Sequence, residues 1–135
     1  MHTLQPHWTR RLLAALAIVA AVFSVTTVVA PAADAAVYNS CTQSRCSAAR
    51  SANSTWASKG YPVTRTWYSW PNGQYNFAGG VFRNQEGQLP SGSYQEFDVY
   101  PRARGAARDA YRIIVNMSSR VVYFSPDHYS NFYKL

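Results

Sequence analysis

The fold is decided by the stretch QEFDVYPRARGAARDAYRIIVNMSSRVVYF, residues 95–124. Within it, Gln95–Tyr100, Ala110–Asn116 and Arg120–Phe124 carry β-branched and aromatic residues between turn signals, a pattern typical of strands. The connection at residues 116–119, NMSS, is short enough to join antiparallel neighbours. This stretch therefore predicts the centre of a β-sheet.

One amphipathic helix is predicted before these strands. Over residues 46–59, CSAARSANSTWASK, the spacing of Ala49, Ala52 and Trp56 puts their side chains on one face. Gly60 follows directly, and a glycine just past a lysine is a typical helix end. The apolar face of this helix is expected to pack on the sheet.

The remaining segments complete an α+β pattern. Val81-Phe82 and Asn131–Lys134 also have the composition of strands. Residues 61–80 are rich in aromatic and turn residues, and we expect them to cover the surface as loops or short strand fragments. A helix followed by a run of strands predicts one N-terminal helix packed on a single antiparallel β-sheet. The opposite face of the sheet is then free to carry a site.

The N-terminal residues predict a targeting segment. Two arginines precede the uncharged run 12–30, and the small residues AADAA follow at 32–36. This pattern is typical of a secretory signal peptide at residues 1–35, with cleavage after Ala35. A membrane anchor is the alternative, because the run is just long enough to span a bilayer. We expect a secreted, extracellular protein with a single domain, residues 36–135, and no stable membrane association after signal cleavage.

The amino-acid composition limits the partners and the kinds of site that the protein can have. The chain has 13 Lys and Arg residues against 6 Asp and Glu, a formal charge of +7. Such an excess fits a polyanionic partner, such as RNA or an anionic cell envelope, or simply a solvated cationic surface. Cys41 and Cys46 are the only cysteines, and in an exported protein we expect them to pair. With His128 as the one histidine after residue 35, a standard zinc site is nearly excluded, and we expect no metal or other cofactor.

Four charged residues together fit acid–base chemistry at a phosphate. Strand alternation sends Glu96 to the face opposite Phe97, while Arg108 and Arg112 would share one side of an extended chain. His128 lies in a predicted turn. Each of them alone reads as an ordinary surface residue. Together they supply the base, the acid and the cations that cleavage of RNA by internal transfer requires, without a metal ion.

Longer motifs resemble the barnase-type secreted guanyl-specific ribonucleases of microbes. The resemblance extends from about Gly79 to Leu135. The motifs that carry it are GGVFRNQEGQLP at 79–90, QEFDV at 95–99, Arg108, RII at 112–114, DHY at 127–129 and Phe132. It implies a ribonuclease domain that cuts single-stranded RNA on the 3′ side of guanosine through a 2′,3′-cyclic phosphate, which is then hydrolysed.

The same resemblance implies roles for individual residues. Glu96 corresponds to the family's general base, His128 to its general acid, and Arg108 and Arg112 to its phosphate-binding arginines. Tyr129 matches an aromatic residue beside the bound nucleotide. The guanine-recognition loop corresponds to Phe82, Arg83, Asn84, Gln85 and Glu86. In that loop, backbone amides would meet the base, and the Glu86 carboxylate would accept from the guanine N1 and N2 hydrogens.

The chain also departs from the family pattern. Gln85 stands where many relatives have arginine, the active-site lysine of barnase has no match, and the Cys41–Cys46 pair is not the family's usual bridge. We expect a monomer, and the resemblance implies an acidic, barstar-like intracellular inhibitor in the producing cell. The alternative from a different class is a noncatalytic cationic protein that binds RNA or a cell envelope, since charge attraction alone is largely independent of sequence.

Overall fold

The computed structural model describes residues 24–28 and 35–135. The chain divides after Pro31, and the fold below is that of the second unit, Ala32–Leu135. Most of the predicted signal peptide, residues 1–35, lies outside the described residues, so that prediction stays a prediction. In the described ranges, no helix has both the length and the apolar character needed to cross a membrane.

Seven strands form one sheet. They are β1 (Ala36–Tyr38), β2 (Thr66–Ser69), β3 (Tyr75–Phe82), β4 (Tyr94–Asp98), β5 (Arg112–Asn116), β6 (Val122–Ser125) and β7 (Asn131–Lys134). Their order across the sheet is β1-β7-β6-β5-β4-β3-β2. The pairs from β2 to β7 are all antiparallel, whereas β1 runs parallel to β7.

The α+β class is confirmed, but the prediction of a single antiparallel sheet is wrong, because the sheet is mixed and larger. The parallel β1 has three residues, too few to show a period in the sequence. Residues 61–80 were expected to form loops or short strand fragments. They hold the short strand β2 and also most of β3, which is longer than a fragment. Aromatic side chains on both faces of this hairpin hide the polar and apolar alternation by which half-buried strands are identified.

One helix, α1 (Cys46–Ser58), covers one face of the sheet. It ends one residue before the predicted end, and it buries Ala49, Ala52 and Trp56 as expected. Trp56 is fully buried, and its indole Nε1 donates a 2.9 Å hydrogen bond to the carbonyl oxygen of Asp98. The helix is thereby attached to the end of β4, the strand at the centre of the site described below.

The predicted disulfide is confirmed. Cys41 and Cys46 are bonded to each other and both are buried. Arg50 donates from Nη2 to the carbonyl oxygen of Cys41 at 3.0 Å, one turn into the helix. The bridge and this hydrogen bond both tie the first turns of α1 to the segment that precedes the helix.

The face of the sheet opposite α1 is called the open face below. It has an apolar end and a polar end. One end is apolar, where Leu89, Tyr94, Ile114, Tyr123 and Phe132 form a buried cluster. The other end is polar and carries Glu96 and Asp98 of β4 and Arg112 of β5. The polar end therefore brings three of the charged side chains of interest together on one face.

Candidate active site

A buried carboxylate organises the arginines of the open face. Asp98, the last residue of β4, is fully buried. Arg108 donates to it from Nε at 3.0 Å and from Nη2 at 2.6 Å, and Arg102 donates from Nη1 at 3.0 Å. The Nε of Arg112 lies 3.3 Å from the same carboxylate, close enough for an ion pair but not aligned for a hydrogen bond. Three guanidinium groups therefore compensate the buried charge of the Asp98 side chain.

Asp109 holds two of these arginines from the other side. It accepts a 3.0 Å hydrogen bond from Nη2 of Arg102 and a 3.4 Å bond from Nη1 of Arg112. It also accepts from the backbone N–H of Tyr111 at 3.0 Å, which ties the loop before β5 to the network. The arginine side chains are therefore fixed before any substrate arrives.

Arg108 reaches the site from a loop. The prediction that Arg108 and Arg112 share one side assumed an extended chain between them. That assumption is wrong, because Arg108 precedes β5 and is not part of a strand. The two side chains nevertheless converge, because both are attracted to Asp98. Burial lowers the pKa of Arg108, but its hydrogen bond to Asp98 and the charges of Asp98 and Glu96 outweigh burial and leave that pKa above its ordinary value.

Glu96 lies in the middle of β4, with its side chain 13% exposed. One carboxylate oxygen is 3.5 Å from Nη2 of Arg108, and the other accepts a hydrogen bond from the hydroxyl of Tyr129. Gly79 packs directly against this carboxylate, and a Cβ atom at that position would overlap it. The site therefore holds Glu96 between a cation, a hydroxyl donor and a glycine that leaves room for it.

The Tyr129 hydroxyl is a permanent donor. Burial raises its pKa well above the ordinary tyrosine value, and the hydrogen bond to Glu96 raises it further. The ring lies 5.0 Å from that of Phe82 and 4.7 Å from that of His128, measured between centroids. Tyr129 thus connects Glu96, His128 and the start of the predicted recognition loop.

His128 is held in an unusual turn after β6. Its φ is 52° and that of Tyr129 is 74°, so two successive residues occupy the left-handed region that disfavours side chains. Ser125 accepts from the Tyr129 backbone N–H at 2.8 Å, and the His128 N–H donates to Ala110 at 3.0 Å. These contacts offset the local strain and present the exposed imidazole to the cleft.

An open cleft of about 320 Å³ joins most of the predicted catalytic residues. Its lining is Arg108, Asp109, Ala110, Arg112 and His128. Glu96 adjoins this cleft through its contacts with Arg108 and Tyr129. A group that enters the cleft would meet two guanidinium groups and one imidazole, beside a carboxylate. Such a set suits a phosphate that is gaining negative charge.

A second, smaller cavity of about 150 Å³ lies along the predicted recognition loop. Its lining is Phe82, Arg83, Asn84, Gln85, Glu86, Gln88 and Tyr129. The side chain of Asn84 folds back to donate to the carbonyl of Leu89 at 2.8 Å and to accept from its N–H at 3.1 Å. Asn84 therefore shapes the loop with its side chain, while the exposed Glu86 carboxylate accepts a hydrogen bond from Gln88.

Sequence reasoning gave no role to four residues that build this site. Asp98, Arg102 and Asp109 position the arginines, and Gly79 makes room for Glu96. A signal for Asp98 was present, because it lies two residues after Glu96 and so shares its face. The described part of the chain has no group of three or more His, Cys, Asp or Glu residues that could hold a metal ion.

Comparison with known proteins identifies the class. The family model described as ribonuclease matches residues 29–135. The chain belongs to the ribonuclease family and is an enzyme that cleaves RNA. The alternative of a noncatalytic cationic binding protein loses its support with this match. Neither the curated proteins nor the solved structures contained a match.

Proposed function

We propose that this ribonuclease is an endoribonuclease that cleaves single-stranded RNA on the 3′ side of guanosine. In this proposal it transfers the phosphate to the 2′-oxygen, which yields a 2′,3′-cyclic phosphate, and then hydrolyses that product. The observation that carries the proposal is the grouping of Glu96, two fixed arginines and His128 around one cleft on the open face.

Glu96 is the proposed general base of the first step. Its carboxylate takes the proton of the 2′-hydroxyl, and the 2′-oxygen attacks the phosphorus while the bond from phosphorus to the 5′-oxygen breaks. The Tyr129 hydroxyl and Arg108 contact the two carboxylate oxygens and orient them for this transfer. A positioned base of this kind typically contributes about 10²- to 10⁴-fold to the rate.

His128 is the proposed general acid. It protonates the 5′-oxygen as that oxygen leaves, which balances the proton taken by Glu96. In the second step the roles are exchanged: His128 takes a proton from water, the hydroxide opens the cyclic phosphate, and Glu96 returns a proton to the 2′-oxygen. The exposed position of His128 at the rim of the cleft gives it access to both leaving group and water.

Arg108 and Arg112 are the proposed partners of the phosphoryl oxygens. Both are held by Asp98 before substrate binds, so little reorganisation is needed as charge develops in the transition state. These cations perform the task that a metal ion performs in other nucleases. We therefore propose that the reaction requires no metal or other cofactor.

Guanine is proposed to bind in the smaller cavity beside Phe82 and Tyr129. Backbone N–H groups of residues 83–85 would face the base oxygen and ring nitrogen, and the Glu86 carboxylate would accept from N1 and N2. Adenine offers no amino group at position 2 and no hydrogen on N1, so it would leave the carboxylate unpaired. Such a loss costs about 1–3 kcal/mol when the group is buried by the ligand.

Secretion and regulation complete the proposal. A signal peptide at residues 1–35 is supported by the position of β1, which begins at Ala36, so that cleavage after Ala35 would leave the sheet whole. We propose that the secreted enzyme acts as a monomer. An acidic intracellular inhibitor is proposed to protect the producer, because a cationic cleft attracts acidic side chains as it attracts phosphate. Mass spectrometry of the protein recovered from culture medium would test the cleavage site.

Mapping the cut ends of a defined RNA tests the reaction. The purified protein is incubated with the RNA in excess chelator, and the products are sequenced and weighed. Cuts after guanosine with 2′,3′-cyclic phosphate ends are expected. Two matched variants assign the residues: Glu96→Gln should abolish most cleavage, whereas Glu86→Gln should keep the cyclic product but relax the base preference. Cuts that need added Mg²⁺, or that leave 3′-hydroxyl ends, would refute the mechanism.

A further inference from the structure

Arg65 is a cation of the open face that the site described above does not use. It precedes β2, the edge strand, and it is exposed. Across residues 24–28 and 35–135, no carboxylate lies within ion-pair distance of it. Each arginine around Asp98 forms an ion pair with at least one carboxylate, and Arg65 differs from them in having no such partner in those ranges.

The Arg65 side chain is nevertheless fixed. The strand register shifts between Ala78 and Gly80, and this bulge leaves Gly79 without a paired residue on β4. The Nε of Arg65 donates to that carbonyl at 3.1 Å, and its side chain passes over Gly80. One nitrogen thereby holds the guanidinium in place, while the two terminal nitrogens have no hydrogen-bond acceptor among the residues that the structure describes.

Two contacts connect Arg65 with the proposed catalytic residues. Gly79, whose carbonyl binds Arg65, is the same residue that packs against the Glu96 carboxylate. The buried ring of Phe77 is also shared: the guanidinium carbon of Arg65 lies 5.1 Å from its centroid, and that of Arg108 lies 4.3 Å from it. Arg65 and Arg108 are therefore neighbours on one aromatic ring, at adjoining positions of the open face.

We propose that Arg65 forms a subsite for a second RNA phosphate, one that neighbours the scissile phosphate in the chain. The planar fork of free N–H donors suits phosphate oxygens, and the fixed side chain loses little freedom on binding. This subsite rests on the proposed function in one respect, that the scissile phosphate lies at Arg108 and Glu96. The second phosphate contact at Arg65 makes longer RNA a better substrate than a dinucleotide.

Short substrates of graded length test this subsite. The dinucleotide GpU has only the scissile phosphate, whereas UpGpU adds a phosphate on the 5′ side and GpUpU adds one on the 3′ side. For Arg65→Ala, kcat/KM on GpU should stay within about twofold of wild type. On one of the two trinucleotides it should fall about tenfold, as expected for the loss of a charge-assisted hydrogen bond. The trinucleotide affected identifies the side.

Arg120→Ala is the matched control. Arg120 is also exposed and stacked on an aromatic ring, 5.3 Å from the centroid of Tyr61, but Tyr61 packs on the α1 side of the sheet. This variant loses the same charge away from the open face and should change no substrate by more than about twofold. Arg65→Lys, which keeps the charge, should retain part of the preference for the trinucleotide.

Salt dependence and binding give independent measurements. For the affected trinucleotide, the slope of log kcat/KM against log salt should become shallower by about 0.7 in Arg65→Ala, the value for one phosphate contact on a single strand. The 2′-deoxy forms of the three oligonucleotides lack the attacking hydroxyl, so their affinities report binding alone. Arg65→Ala should weaken binding of one deoxytrinucleotide even if the proposed cleavage mechanism or base choice is wrong.

Three results would overturn the subsite. An equal loss on GpU and on the trinucleotides would mean that Arg65 acts by supporting Gly79 and Glu96. An equal loss in Arg120→Ala would mean that only overall charge matters. Unchanged cleavage and unchanged binding of all three oligonucleotides in Arg65→Ala would mean that Arg65 contacts no RNA phosphate.

Discussion

Replacing Asp98 with asparagine should cost both stability and activity, because one buried carboxylate holds three arginines. Asp98 is fully buried, and the side chains of Arg102, Arg108 and Arg112 are 13%, 21% and 4% exposed. Removing one partner of a buried ion pair typically costs about 3–5 kcal/mol. Asparagine can still accept one hydrogen bond, so we expect a loss near 3 kcal/mol for Asp98→Asn.

The matched comparison is Asp109→Asn. Asp109 binds two of the same arginines, but its side chain is 32% exposed, so water screens its charge. Partly exposed ion pairs contribute about 1 kcal/mol or less, and Asp109→Asn should therefore lose no more than that. The difference between the two variants isolates the effect of burial.

Urea unfolding and dinucleotide kinetics measure both effects. With a slope on the order of 1.5 kcal/mol/M for a small domain, Asp98→Asn should lower the unfolding midpoint by roughly 2 M. Its kcat/KM should fall by about 10- to 100-fold, since a displacement of about 1 Å in Arg108 or Arg112 is enough for such a loss. Equal stability losses in the two variants, or a loss below about 1 kcal/mol in Asp98→Asn, would refute the reasoning.

Three further changes test other parts of the structure. Gly79→Ala places a methyl group on the Glu96 carboxylate. We expect kcat/KM on a dinucleotide to drop at least about tenfold and the free energy of unfolding to fall by roughly 1–3 kcal/mol. A wild-type rate would show that the carboxylate is not confined. Tyr129→Phe should be less stable than wild type at pH 7, and urea unfolding should show the difference shrinking above about pH 10. The reason is that burial, and then the contact with Glu96, raise the pKa of Tyr129 in the folded state. The stability that the Tyr129 hydroxyl contributes is therefore complete below the ordinary tyrosine pKa and is lost as the pH rises through the folded-state pKa. A stability difference that does not change with pH would contradict this. Replacing Cys41 and Cys46 with alanine removes a bridge across a sequence separation of 5 and should lower the free energy of unfolding by about 2 kcal/mol without changing the cleavage products, whereas altered products would connect the bridge to the site.

Much of the fold was predictable because its signals are local. The strand Asn131–Lys134 has the predicted bounds, and α1 differs by one residue at its end. The Ala and Trp spacing and the following glycine suffice to define a helix of this length. By contrast, β1 has no local signal, because a strand of three residues is identified only by its partner β7.

The sequence indicates the proposed catalytic residues of the candidate site, but not the residues that position them. Sequence motifs named Glu96 and His128, and strand parity put Glu96 on the open face. The position of Arg108 depends on Asp98, which attracts it across ten residues of chain, and no pattern of spacing reports such an attraction. The role of Gly79 likewise follows from a bulge in the register of β3 and β4. Interactions of this kind exist only in three dimensions.

The central claim is that Glu96 and His128 act as an acid–base pair, and pH–rate profiles test it most directly. kcat/KM on GpU is measured in chelator for wild type, Glu96→Gln and His128→Gln. Wild type should give a bell, with an acidic limb from a carboxylate and an alkaline limb from an imidazole. Glu96→Gln should lose the acidic limb, and His128→Gln should lose the alkaline limb, each with a rate about 10²- to 10⁴-fold lower. A bell that keeps both limbs in either variant, or a wild-type rate that rises steadily through pH 9, would contradict the claim.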